Sequence, residues 1–156
     1  MPSRVALAVL AAALVTAAAG CGAKKKDLAP AACLASNEGY LRALERAPGA
    51  VRLGGSVPIS DCLVPEQEAG QLADVGHEIV IAATKLNAEA RRDPGGAATV
   101  QLGYLLGAVA KGADPIHTDL VRRLNAAARF AAGGGTLPAA FERAFGRGFE
   151  AGRTSG

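Results

Sequence analysis

The sequence predicts an all-α domain, a small bundle of four or five helices with one disulfide, preceded by a signal peptide and a tether. Three observations carry this. The apolar residues are mostly Ala, Leu and Val, with only 4% aromatics and no Trp, and Ala and Leu are strong helix formers. They recur at the spacing of one helix face over long stretches, while no stretch alternates as strongly in the manner of a strand. The 20 Gly and 8 Pro fall mainly between these stretches and divide them, which argues against one long coiled coil. At 156 residues the chain is long enough for one such core and needs no second domain.

The first helix is expected over residues 31–47, where Leu34, Tyr40, Leu41 and Leu44 share a face and Pro48-Gly49 ends the run. Residues 50–60 (AVRLGGSVPIS) carry paired glycines and a proline and read as a loop. A long scaffold helix follows from Pro65, at its N1 position, to Arg92, with Glu66 and Glu68 favourable in its first turn. Its buried stripe is Leu72, Val75, Ile79, Ala82, Ala83, Leu86 and Ala90, and Asp93-Pro94-Gly95-Gly96 stops it.

Residues 97–111, with Leu102, Leu105, Leu106 and Val109, are apolar on most sides. At about 15 residues they are too short to span a bilayer, so they predict a central buried helix. Asp114 and Pro115, an N-cap followed by N1, open a helix striped by Ile116, Leu120, Val121, Leu124, Ala128 and Ala131 and closed by Gly133-Gly134-Gly135. The last helix runs from about Pro138 to Gly152. Its Phe141, Phe145 and Phe149 recur every four residues; such a stripe packs into a core or, exposed, serves as a ridge for a partner.

The N-terminus has a different grammar. Arg4 provides a positive start, residues 5–19 (VALAVLAAALVTAAA) an uninterrupted apolar run, and small residues lead into Cys21, the three-part layout of a secretory signal. Ala18-Ala19-Gly20-Cys21 resembles the lipobox of bacterial lipoproteins, departing from the commonest pattern at Ala18, where Leu is usual. That resemblance covers the signal only. It implies a diacylglycerol thioether on Cys21, cleavage just before it, and a mature chain anchored to the outer face of the cell membrane. Two other fates compete: cleavage after Ala19, which satisfies the small-x-small rule with Ala17, and retention of residues 5–23 as a span. Retention would place Lys24, Lys25 and Lys26 in the cytoplasm by the positive-inside rule, at odds with a disulfide. The expected domains are therefore a signal peptide over 1–20, a lipid-anchored tether over 21–30 and a helical domain over 31–156.

Lipid on Cys21 leaves Cys33 and Cys62 to pair in an oxidising compartment. Such a bridge closes a loop of about 30 residues, worth roughly 3 to 4 kcal/mol if loop entropy alone is counted. The spacing fits neither a CxxC redox motif nor a zinc site.

The pI of about 9.0 points to no nucleic acid. Of the 17 basic residues, Arg4, Lys24, Lys25 and Lys26 precede the domain, and the remaining thirteen balance 14 acids. No basic face with aromatic platforms is present, so nucleic-acid binding is not expected. Charge is nonetheless segregated: residues 27–90 hold four basic and nine acidic side chains, and from Arg91 onward the count is nine to five. Arg122, Arg123, Arg129, Arg143, Arg147 and Arg153 could form a patch for an envelope protein or anionic polymer, or lie beside the acidic scaffold helix.

Candidate chemistry is sparse. The two histidines each follow an aspartate by three residues, Asp74-x-x-His77 and Asp114-x-x-His117, and residues three apart share a helix face. Two such pairs could converge on a metal, in the manner of di-metal bundles. A plain N-cap explains Asp114 and places His117 in an exposed first turn, so no metal is expected. Gly103-x-x-x-Gly107 allows close helix approach and reads as core packing. No phosphate loop, nucleophile elbow or paired catalytic carboxylate stands out, so no cofactor and no catalytic residue is expected. The leading expectation is a lipid-anchored, non-catalytic binding or scaffold module of the cell envelope. The alternative is a small-ligand or metal-binding lipoprotein using the His77/His117 region.

Overall fold

A computed structural model describes residues 28–130 and 135–156. The expected signal peptide, Cys21 and most of the tether lie outside the described residues, as do Ala131, Gly133 and Gly134. The described chain is all-α: α1 (Asn37–Leu44), α2 (Ala69–Arg92), α3 (Ala97–Gly112), α4 (Thr118–Ala127) and α5 (Ala139–Ser155), with short 3-10 turns at Ala31–Leu34, Ile59–Cys62 and Pro115–His117. Among the described residues the only β feature is one isolated bridge, Leu53 to Val57, and no helix is long and apolar enough to cross a membrane.

The nearly all-apolar α3 is the hub. Ten of its residues are buried, Leu102 and Leu105 fully, and it packs against α2, α5 and the Ile59–Cys62 turn. The expected stripe of α2 faces it, with Val75, Ile79, Ala82, Ala83, Leu86 and Ala90 buried and Leu72 partly so. On α4, Leu120 and Leu124 are buried, followed by Ala128 just past its end.

Several expected boundaries shift: the fourth helix opens as a 3-10 turn over Pro115–His117, which leaves Ile116 of its expected stripe 45% exposed, and three other shifts have a local reason. The first helix is split: Ala31–Leu34 is a 3-10 turn, Ala35 and Ser36 are extended, and α1 begins at Asn37. Leu34 consequently leaves the apolar face and is 52% exposed. The scaffold helix starts at Ala69 rather than Pro65. Glu66 has φ 58, outside the helical region, and Glu68 is the N-cap, its carboxylate accepting from the Gln71 N–H at 2.9 Å. The fourth helix ends at Ala127, three residues short of Phe130, because α2 supplies its stop: Asn87 Nδ2 donates to the Ala127 and Arg129 carbonyls at 2.8 and 2.9 Å, and Arg91 also donates to Arg129. Those carbonyls would otherwise be orphaned.

The segment read as a plain loop, residues 50–60, is part of the core. Val51, Leu53 and Ile59 are buried, and the chain reverses through Gly54 and Gly55, whose φ of 55° and 83° few other residues adopt. The C-terminal end of α5 docks here. The Val51 N–H donates to the Tyr104 hydroxyl at 3.1 Å, that hydroxyl meets Ser155 Oγ at 3.1 Å, and Arg52 donates to the Ser155 carbonyl at 2.7 Å. The packed chain also begins earlier than the expected tether boundary, since Ala29 is buried and its N–H donates to Gln71 Oε1 at 2.6 Å.

The α3–α5 seam is made of glycine. A Cβ on Gly103 or Gly107 would lie 2.2 or 2.1 Å from the carbonyl oxygens of Phe145 or Phe149. Reciprocally, a Cβ on Gly148 or Gly152 would lie 1.9 or 2.1 Å from those of Val100 and Tyr104. The expected packing role of Gly103-x-x-x-Gly107 therefore holds, with a second glycine ladder facing it across the seam.

Candidate functional site

The disulfide is present. Cys33 and Cys62 are fully buried, with Sγ atoms 2.02 Å apart and Cα atoms 5.4 Å apart. The bridge joins the two 3-10 turns that flank α1 and the 50–60 segment. Tyr40 seals it from one side, donating its hydroxyl proton to the Cys33 carbonyl at 2.8 Å. Burial, and secondarily the charge of Glu78, pushes the Tyr40 phenol well above its ordinary value of 10.0.

The two Asp-x-x-His pairs end in different environments. Asp74 and His77 are exposed on α2 and line a shallow depression with Leu34, Ser36 and Glu78. His117 is not in an exposed turn, contrary to expectation; it is fully buried. Its Nδ1 meets the Asp114 N–H at 3.0 Å and the Asp114 carboxylate at 2.9 Å, completing a capping box. Its Nε2 faces Gln67 Oε1 at 3.3 Å, and Gln67 Nε2 donates to the Cys62 carbonyl at 3.3 Å. His117 thus ties the start of α4 to the disulfide loop through a buried amide, and both ring nitrogens are committed to that task. Among the described residues no group of three or more His, Cys, Asp or Glu is placed to hold a metal ion.

The Phe stripe falls between its two expected readings. The seam face of α5 is Ala144, Gly148 and Gly152, all buried, and the Phe positions precede these by three residues, about 60° around the helix. Phe141 is buried and Phe145 and Phe149 are half-buried, stacked with centroids 5.5 and 6.1 Å apart. Phe130, beyond the end of α4, tilts onto Phe141 at 4.3 Å.

This aromatic ridge forms one wall of a cleft of about 700 Å³ between the end of α4 and the first half of α5. Leu106, Ala128, Phe130, Leu137, Phe141 and Phe145 supply its apolar lining, and the exposed Asn125, Arg129 and Glu142 its polar edge. Gly146 leaves the α5 wall open, because a Cβ there would meet nothing within 4 Å. An apolar concavity of this volume with a few polar groups at one side is the usual form of a small-molecule site. Sequence reasoning found the Phe stripe but missed Phe130, Leu137 and Gly146. The available signal was an aromatic residue directly before a run of Ala and Gly, where no helix of its own could bury it.

Elsewhere, polar side chains tie α1 to α2. Lys85 on α2 donates to Glu38 at 2.8 Å and to the Asn37 amide oxygen. Glu78 accepts from the Asn37 backbone N–H and side-chain amide at 2.6 and 2.8 Å. The Lys85 bond, with the backbone N–H of Glu38 and the Ser36 hydroxyl, lowers the Glu38 carboxyl from 4.5 to about 2, and Asn37 lowers Glu78. All six arginines of the suggested basic patch are exposed, and Arg122 pairs with Asp119 on its own helix. No family model, no curated protein and no solved structure matches the chain.

Proposed function

We propose that the chain is an exported lipoprotein whose helical domain, held to the outer face of the membrane through Cys21, is a non-catalytic binding module of the cell envelope. The observation that carries this reading is the buried Cys33–Cys62 bridge. A disulfide of this kind persists in an oxidising compartment, and it accounts for two of the three cysteines. Cys21, at the end of an apolar run and before the lysines, is then the residue left for the anchor. Two or more acyl chains give stable attachment where one gives marginal attachment. The domain supplies rigidity rather than reactive groups, since its one buried histidine is used as a cap and the cleft between α4 and α5 is lined mainly by apolar side chains.

Intact mass of the protein extracted from membranes tests the proposal. The expected product begins at Cys21, carries diacylglycerol there, and keeps Cys33 and Cys62 closed to alkylation until reduced. A full-length chain with unmodified Cys21, or a chain cut after Ala19, overturns the anchor.

A further inference from the structure

We propose that the cleft between α4 and α5 binds a diffusible single-chain amphiphilic anion, an alkyl chain headed by a carboxylate. This deepens the binding-module reading by naming its ligand, and it does not depend on the anchor. Three features of the cleft choose the ligand. Its volume of about 700 Å³ lies within the range of small-molecule sites, about 300–1,000 Å³, whereas a protein partner needs a footprint of about 800 Å² per side. Its lining is mainly aliphatic and aromatic, with Leu137 still 37% exposed at the edge, so an alkyl chain laid along Leu137 and the half-buried Phe145 would extend the burial of that ridge.

Charge then selects the head group. From Thr118 onward the chain carries six arginines against Asp119, Glu142 and Glu150, and Asp119 is engaged by Arg122. Arg129 stands at the cleft itself. Its backbone carbonyl is pinned by Asn87 and Arg91, while no carboxylate of the described residues pairs with its guanidinium. Arg129 is exposed at the cleft edge together with Glu142, and the excess of arginine over carboxylate on α4 and α5 favours a chain that ends in an anion.

The point where the described chain begins lies away from the cleft. The N-terminal segment is fastened at Ala29 to Gln71, in the first turn of α2. The cleft adjoins the end of α4, which Asn87 and Arg91 hold near the other end of α2. Sixteen residues of helix separate the two points, about 24 Å.

Photolabelling of the full chain in lipid nanodiscs tests the proposal, with a diazirine-bearing palmitic acid as probe, the corresponding alcohol as control, and adducts mapped by mass spectrometry. Adducts of the acid are expected at residues 125–130 and 137–146. Gly146→Trp, which fills the open wall, is expected to lower them by at least about tenfold, and Arg129→Gln to lower the acid by about two- to fivefold while leaving the alcohol unchanged. Because the wild-type map stands alone, a misfolded Gly146→Trp protein does not remove the test. Adducts confined to residues 1–27 or scattered over the surface overturn the site; equal labelling by acid and alcohol overturns the anionic head group. Intact mass read on the same sample reports Cys21 separately, so loss of the anchor and loss of the ligand are distinct results.

Discussion

His117 shows how much one side chain's meaning depends on its surroundings. Its sequence context, three residues into a capped turn, suggests solvent; in the fold it is fully buried and bridges Asp114 to Gln67. Replacing it by Leu removes both partners and leaves the Gln67 amide oxygen buried without its imidazole. The expected cost is about 1–3 kcal/mol in urea unfolding. Glu38 and Tyr40 make stability depend on pH at opposite ends of the range. Glu38 titrates at about 2 in the fold against an ordinary 4.5, so its contribution is complete above pH 4.5 and is lost as the pH falls towards 2; Glu78 acts in the same direction. Tyr40 is raised above 10.0, so its contribution is complete below pH 10 and is lost as the pH rises through the folded value. Glu38→Gln with Glu78→Gln is expected to flatten the acid limb of stability against pH, and Tyr40→Phe the alkaline limb.

Among the helices, the α3–α5 seam makes the sharpest demand on sequence. Gly103, Gly107, Gly148 and Gly152 let two backbones touch, and a methyl group at any of them would enter the opposing backbone. Gly148→Ala, whose Cβ would lie 1.9 Å from the Val100 carbonyl oxygen, is expected to cost about 1–3 kcal/mol or more. Gly146 is the control on the same helix. Nothing lies within 4 Å of its Cβ position, so Gly146→Ala is expected to stabilise by about 0.4–1 kcal/mol through reduced freedom of the unfolded chain. Thermal or urea midpoints of the two variants should therefore move in opposite directions, and a shared direction would contradict the seam.

Over the whole molecule, the disulfide compensates for a core short of aromatic bulk. It spans a sequence separation of 29 and holds down the segment that carries Val51, Leu53 and Ile59 into the core. Cys33→Ala with Cys62→Ala is expected to cost about 2–5 kcal/mol, read as a lower denaturation midpoint, and reducing agent should reproduce the shift in the wild-type protein but not in the double variant.

Periodicity and punctuation determined by themselves that five helices form, though not where each begins and ends. The stripe of α2 and the all-round apolar face of α3 are properties of residue spacing, and the Cys33–Cys62 pairing followed from a count of three. The seam glycines on α3 were also legible, because Gly103 and Gly107 share a face within one helix. What only the tertiary structure decided involves residues distant in sequence: Asn87 and Arg91 ending α4 at Ala127, Gln67 meeting His117, the glycines of α5 answering those of α3, and Phe130 closing with Phe141 and Leu106 on a cleft. Helix periodicity reports which residues face inward, since that depends on neighbours three or four positions away. It carries no information on which other helix they face, because that depends on how far each backbone can approach the next.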